Sequence, residues 1–313
     1  MSEILAVCGS RISLNFGTLK LAAIDIGSNA VRLYIARPLH EELENTDFKP
    51  VEFTRLPLRL GDDVFKTKII GKKKADLLCK ALQAFALLME IYNVDEMRAC
   101  ATSAMRDALN GPKLMKELKR ITGIKVDIIN GKEESRLIQT SVLDWLPGKN
   151  SFLHIDVGGG STEIAYIRNG KIKKYESFNI GTVRLREGKV KPSETTKMYQ
   201  WLEELVLPID EPVKAVGTGG NIVKLLELSG AKDNKSLNLK HLLATNDYIK
   251  SLDLHDLVYE LKLNPDRAEV IGFAGDIYTG IMQACNIHEI LAPNIGLKDG
   301  IIRDLWKKRF AIP

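Results

Sequence analysis

The chain has 313 residues, of which 45% are hydrophobic and 27% charged, and carries a formal net charge of +5. That length supports a sizeable core and two domains of ordinary size, and the even composition excludes fibrous, low-complexity and disordered classes. No apolar run reaches the ~20 residues of a membrane helix, and Cys8, Cys79, Cys100 and Cys285 show no paired spacing. The reading is therefore a cytoplasmic protein of a reducing compartment, with no zinc site or disulfide framework.

Residues 1–19 read as an N-terminal extension. Met1 to Cys8 lacks the basic start, the long apolar stretch and the small residue before cysteine that mark a lipoprotein leader. Residues 21–26 (LAAIDI) and 31–36 (VRLYIA) read as two strands joined by Gly-Ser-Asn-Ala, a hairpin signal. Residues 72–92 place Leu78, Ala81, Leu82, Phe85, Leu88, Met89 and Tyr92 on one helical face. A strand follows at 97–101, and Gly111-Pro112 then opens a helix that Gly123 closes. Strand 124–129 leads through Asn130-Gly131 into a helix from about Lys132, with Ile138, Val142 and Trp145 spaced to face a core. Residues 152–157 (FLHIDV) and 162–167 (TEIAYI) repeat the first hairpin without a gap. Asp25 matches Asp156, Gly27 matches Gly158 and Arg37 matches Arg168, each 131 residues on. One recurrence at that distance indicates two similar domains rather than a solenoid. Pro192-Ser193 starts a helix carrying Met198, Trp201, Leu202 and Leu205, and strand 213–217 feeds a glycine turn and another helix. Strands alternating with helices define an α/β fold with mostly parallel or mixed sheets.

Three glycine turns each follow an apolar strand. They are Asp25-Ile26-Gly27-Ser28-Asn29, Asp156-Val157-Gly158-Gly159-Gly160-Ser161-Thr162-Glu163 and Gly217-Thr218-Gly219-Gly220-Asn221. Glycines let backbone N–H groups approach an anion, and the hydroxyls add donors. One such turn usually makes only a turn. Three of them, two with an aspartate at the same point, read as a clamp for phosphates between two domains. The adjacent acids Glu133 and Glu134 open the helix after Asn130. Acids there ordinarily offset the macrodipole, but this helix joins the two repeated units and should border the cleft between them. Five lysines lie within residues 66–74, and eight basic against two acidic side chains within 166–191. Each cluster reads as solvated surface or as a track for an anionic substrate.

The segments AAIDIGSNAVRL, ATSAMRDALN, INGKEESRLI, HIDVGGGSTEI, NIGTVRL, AVGTGGN and PDRAEV with GLKDG stand in this order from Lys20 to near Leu305. In this the chain resembles the exopolyphosphatases and guanosine-pentaphosphate phosphohydrolases. The resemblance implies two ribonuclease H-like domains of the actin-like ATPase superfamily, about 20–137 and 138–296, with a helix near 297–313 returning to the first and the active site in the cleft. It further implies Glu134 as general base, Arg106 as a phosphoryl contact, and Asp156 and Glu163 as metal carboxylates, with Asp25 reaching the metal through water. The phosphate loops would be Gly27, Ser28, Asn29, Gly158, Gly159, Gly160, Ser161, Thr162, Gly217, Thr218, Gly219, Gly220 and Asn221. The implied cofactor is Mg²⁺ or another divalent cation. Asn221 stands where the family has threonine or serine, and Lys298-Asp299 where it has Arg-Glu. The family's longer members carry a C-terminal HD-like domain, and this chain reads as a short form without one, its His255-Asp256 being structural.

The leading expectation is hydrolysis of the terminal phosphoanhydride of inorganic polyphosphate. Guanosine pentaphosphate is the alternative substrate, and a non-catalytic polyphosphate or alarmone binder a further one. A kinase of the same fold would leave Glu134 without its task and would need a sugar-binding segment that is absent. Neither nucleic acid nor membrane is an expected partner, and a homodimer stays open.

Overall fold

The computed structural model describes residues 19–40, 47–146, 150–206, 212–231 and 235–310. The extension read at 1–19 lies outside them up to residue 18, as does Cys8. The first half contains β1 (Leu21–Ile26), β2 (Val31–Pro38), β3 (Phe48–Leu56), α1 (Leu60–Thr67), α2 (Lys72–Ile91), β4 (Glu96–Ala101), α3 (Ser103–Asp107), α4 (Gly111–Thr122), β5 (Val126–Ile128) and α5 (Gly131–Trp145). The second contains β6 (Ser151–Val157), β7 (Thr162–Arg168), β8 (Lys171–Phe178), α6 (Thr182–Arg186), α7 (Pro192–Val206), β9 (Val213–Thr218) and α8 (Gly220–Leu228). It continues with β10 (Ser236–Asn238), α9 (Leu239–Ser251), α10 (Leu254–Tyr259), α11 (Pro265–Ala268), α12 (Ile271–Ala284), β11 (Glu289–Leu291) and α13 (Leu297–Phe310).

The strands form two sheets, ordered β3-β2-β1-β4-β5 and β10-β11-β9-β6-β7-β8. In each, a three-stranded antiparallel meander carries two parallel strands on its first member. The sequence repeat thus extends beyond its two hairpins: β3, β2, β1, β4 and β5 correspond to β8, β7, β6, β9 and β11. This is the ribonuclease H-like strand order, and β10 is an addition at the edge. Sequence reading missed β3 and β8. Their burial alternates weakly, because both lie at sheet edges where lysines are tolerated on the open side.

β1 and β6 are buried along their whole length, as strands covered on both faces must be. Leu78, Ala81, Leu82 and Phe85 of α2 seat on the first sheet. Met198, Leu202 and Leu205 of α7 seat on the second. α13 closes a third cluster, in which Trp306, Ile301 and Ile302 lie against Leu21, Ala23, Cys100 and Leu137. Trp145 departs from expectation: at the end of α5 it is 40% exposed rather than in the core.

α13 lies so close to α5 that a Cβ on Gly300 would strike the Leu137 carbonyl. Gly300→Ala is therefore expected to destabilise the protein by about 1–3 kcal/mol, the usual range for overpacking. Thermal unfolding checks this, and an unchanged midpoint would mean that the two helices separate freely.

Candidate functional site

A cleft of ≈ 350 Å³ runs between the sheets. Its wall is built from the ends of β1 and β6, the turns after β1, β6 and β9, and the start of α5. Asp25, Gly27, Ser28, Asn29, Glu134 and Asp156 line it. So do Gly158, Gly159, Ser161, Gly219, Gly220 and Asn221. Gly219 has φ 93°, a backbone conformation that favours glycine, and α8 begins at the next residue. Its first N–H groups are the unsatisfied donors of a helix start.

The remaining candidates stand behind the wall. Gly160 packs where a Cβ would hit Ser103 and Phe65, and Gly217 is wedged among Ile222, Ile290 and Tyr278. The Thr162 hydroxyl donates to the Ile180 carbonyl at 2.5 Å. The Thr218 hydroxyl donates to Asp156 Oδ1 at 2.6 Å. Asn29 lines the cleft, yet its amide donates to the Asp266 carboxylate at 3.1 Å. Arg106 donates to the Ile129 carbonyl at 3.0 Å and stands 3.6 Å from Glu134 Oε2.

The structure separates the two adjacent glutamates. Glu133 donates its backbone N–H to the Asn130 side chain, which caps α5. Its carboxylate is bound by Arg136 at 2.7 Å and Arg98 at 3.0 Å. The hydrogen bond from Arg136 and the nearby charges hold its pKa below the usual carboxylate value despite partial burial. Glu134 lies on the cleft side. Its side chain is 12% exposed, and its Oε2 has no hydrogen-bond partner among the described residues. Burial, then the neighbouring Glu163, push its pKa well above the ordinary value, against the pull of Arg106.

The repeat explains where negative charge accumulates. Across the first hairpin Asp25 pairs in register with Arg32, and across the second Asp156 pairs with Glu163. The aspartates are equivalent, but their partners have opposite charge. Arg32 Nη1 holds Asp25 Oδ2 at 2.8 Å. Asp156 instead faces a second buried carboxylate. Burial and the Asp156 charge raise the Glu163 pKa to about 7, although the Ser161 and Ser177 hydroxyls and Arg106 oppose the shift. Burial raises Asp156 as well, opposed chiefly by the Thr218 hydroxyl. Buried carboxylates that resist ionising together suit a hard cation with oxygen ligands. No three cleft carboxylates approach closely enough to form a ready-made cage. Among the described residues only Asp253, His255 and Asp256 do so, and there Asp253 serves as the N-cap of α10.

Sequence reasoning missed the basic wall. Arg32, Arg55, Lys224, Arg267 and Lys298 all line the cleft. Arg32 and Arg267 lie inside segments that carried the resemblance, and the hairpin register of Arg32 was the signal that could have found it. Lys298 also sits 4.8 Å over the Tyr34 ring, so the Lys298-Asp299 departure falls on the cleft itself. The lysine clusters are only partly available to a ligand. Lys66 pairs with Glu187 at 2.7 Å and Lys74 with Asp63 at 3.0 Å, whereas Lys72, Lys73, Lys171, Lys173 and Lys174 are exposed at the surface.

The two halves are tied across the cleft. Asp266 receives Asn29 and Arg55, and Glu269 receives Arg59 at 2.9 Å. Arg186 reaches Asp62. Arg184 links Asp107 at 2.7 Å to the Gly160 carbonyl at 2.9 Å while stacking over Phe65.

These features define an α/β protein with paired ribonuclease H-like sheets and an acid-floored, base-walled cleft. Residues 40–309 match the Ppx/GppA phosphatase family, and the chain belongs to that family. It is 29% identical over 276 residues to a "Bifunctional 3-dehydroquinate synthase/phosphatase" of Fusobacterium nucleatum, covering 80% of this chain but only 41% of that protein. It is 26% identical over 304 residues to "Exopolyphosphatase 1" of Mycobacterium tuberculosis, covering 91% and 87%. It is 23% identical over 305 residues to "Guanosine-5'-triphosphate,3'-diphosphate pyrophosphatase" of Photobacterium profundum, covering 92% and 59%. The crystal structures of an exopolyphosphatase from Cytophaga hutchinsonii (TM-score 0.78, 20% identity, 92% and 98% covered) and of the Aquifex aeolicus family member (0.74, 24%, 94% and 99%) share the fold. Among the described residues no helix is long and apolar enough to cross a membrane.

The raised Glu163 pKa gives a signed expectation. A carboxylate with a higher pKa in the folded state contributes stability at low pH that is lost as pH rises. The chelator-treated protein should therefore lose stability as pH climbs from about 4.5 to about 7. Glu163→Gln should flatten that slope, and excess Mg²⁺ should oppose it. Thermal melts across this range, with and without chelator, check it; a stability rising with pH would refute the assignment.

Proposed function

We propose that the chain hydrolyses the terminal phosphoanhydride of inorganic polyphosphate and releases orthophosphate. The observation that carries this is Glu134: a cleft-facing carboxylate, enclosed, without a hydrogen-bond donor on Oε2, and raised in pKa. A residue kept only to offset a helix dipole would lie in water or be paired, as Glu133 is. Glu134 has Arg106 3.6 Å from Oε2 but no hydrogen bond there among the described residues, so it keeps the capacity to accept a proton from a water, and a base is most effective when its pKa lies near the working pH.

Phosphoryl transfer asks the protein mainly for alignment and charge neutralisation. The glycine turns and the start of α8 present backbone donors to the transferred phosphate. Arg106, 3.6 Å from Glu134 Oε2, limits that residue's pKa and would contact the phosphoryl group. Asp156 and Glu163, with Asp25 through water, would hold a divalent cation. Such a cation, when bound, neutralises phosphate oxygens, and Mg²⁺ typically needs only one or two protein carboxylates because waters and substrate phosphates complete its shell. Lys224, Arg267, Arg55 and Lys298 extend the basic wall along which the rest of a polyanion would lie, where it would compete with Glu227, Asp266 and Asp299 for Lys224, Arg55 and Lys298.

One observation favours guanosine pentaphosphate as a second substrate. A neighbouring cavity of ≈ 470 Å³ shares Val223, Glu227, Asn294 and Ile295 with the cleft and is walled by Trp145, Leu226, Ala292 and Pro293. Its apolar wall and half-exposed indole suit a planar ring joined to phosphates.

Phosphate release from both substrates, with Mg²⁺ and with chelator, tests the reading. Glu134→Gln is expected to lower kcat by about 10²–10⁴-fold, the usual contribution of a general base, while KM changes little. Near-normal turnover would reduce Glu134 to a helix-start acid. Asp156→Ala and Glu163→Ala should lose activity and Mg²⁺ dependence together. Full activity in excess chelator would remove the metal from the scheme. Lys224→Ala should raise KM for long polyphosphate and flatten its salt dependence, as expected when a counterion-releasing contact is lost. Trp145→Ala should raise KM for guanosine pentaphosphate alone.

A further inference from the structure

His154 and Thr218 lie outside the cleft wall, yet both connect to it through one carboxylate. His154 and Asp156 are two residues apart on β6, so their side chains share a face. β9 runs parallel to β6, with Thr218 in register with Asp156 and Val216 with His154. The Thr218 hydroxyl lies 2.6 Å from Asp156 Oδ1 and 3.0 Å from His154 Nε2. Thr218 is 0% and His154 1% exposed. The Tyr278 hydroxyl donates to the Thr218 carbonyl at 2.7 Å and anchors the strand end.

We infer that His154 and Thr218 are positioning residues: a buried hydrogen-bond relay from imidazole through hydroxyl to carboxylate fixes the orientation in which Asp156 meets the cleft. The direction of the relay follows from the donors available. An ionised carboxylate only accepts, and a threonine hydroxyl has one proton. That proton goes to Asp156, so the hydroxyl can only accept from the ring, and His154 must carry its hydrogen on Nε2. With Oδ1 engaged, rotation of the carboxylate would break its bond to the fully buried Thr218 hydroxyl. The lost donor would leave a buried acceptor unsatisfied.

The first hairpin orients its equivalent aspartate differently, through the half-exposed Arg32. A guanidinium at Asp156 would neutralise the charge that the cation site needs. A neutral hydroxyl backed by an imidazole donor orients the carboxylate without cancelling its charge directly. Groups behind a ligand usually matter in this way, and their loss typically weakens metal affinity or activity about 10–100-fold.

The functional readout rests on the reading of Asp156 as a cation ligand, so the test has two arms. In the first, Mn²⁺ binding to the full chain is followed by electron paramagnetic resonance. Thr218→Val is expected to weaken binding about 10–100-fold, Thr218→Ser to stay near wild type, His154→Leu to weaken it and His154→Gln, which restores an N–H donor, to recover it. In the second, the ¹⁵N shifts of His154 are expected to report the Nε2–H tautomer in the metal-free wild type. A folded Thr218→Val protein with wild-type Mn²⁺ affinity overturns the inference, as does an Nδ1–H tautomer. If Thr218→Val fails to fold, equal affinities for His154→Leu and His154→Gln overturn it instead. A wild type that binds no Mn²⁺ refutes the cation reading, and the relay is then decided by the tautomer alone.

Discussion

Carboxylates gathered out of water repel one another and resist ionising, and the rest of this structure is arranged around that constraint. Glu134, Asp156 and Asp25 line one cleft from α5, β6 and β1, and Glu163 of β7 stands buried behind it, paired in register with Asp156. Only Asp25 has a cation directly across its hairpin. The others lack one, and burial raises the pKa of each. A fold that merely needed to be stable would have filled these positions with apolar side chains.

The glycine turns and the ion pairs across the cleft serve the same arrangement. Gly159 and Gly160 let the second turn press against Ser28 and Ser103 of the first half. Arg184 then locks the second turn to α3. Asp266 and Glu269 gather Asn29, Arg55 and Arg59 from the other side. Asn29 of the first turn is therefore held from 237 residues away, and the second turn is held through Arg184, whose partner Asp107 lies 77 residues before it. Their geometry depends on both halves together rather than on either alone.

Much of this was legible in the sequence. The repeat of Asp25 and Asp156 gave the paired hairpins, and the strand-then-glycine pattern marked the three turns. What escaped was anything decided by register or by distant pairing. Arg32 and Glu163 are equivalent positions in the repeat, but the eye follows matching residues, and these differ in sign. Thr218 and Asn29 looked like phosphate donors because their side chains can donate. Only the folded chain shows those donors already engaged by Asp156 and Asp266. Lys66 and Lys74 looked like part of a substrate track, but the distant Glu187 claims the first and the nearby Asp63 the second. Glu133 and Glu134 could not be told apart by position on a helix start, since what distinguishes them is Arg98, brought from β4.

α13 carries a consequence for how the molecule comes into being. Its Trp306, Ile301 and Ile302 cover Leu21, Ala23 and Cys100 of the first sheet, so strands made early in synthesis wait for residues made nearly three hundred positions later. Until then one face of that sheet lies open, with apolar strands available to other chains. Such long sequence separations slow folding, and exposed strands in the interval invite aggregation. The first sheet therefore gains its last apolar cover only when α13, at the far end of the described chain, is in place.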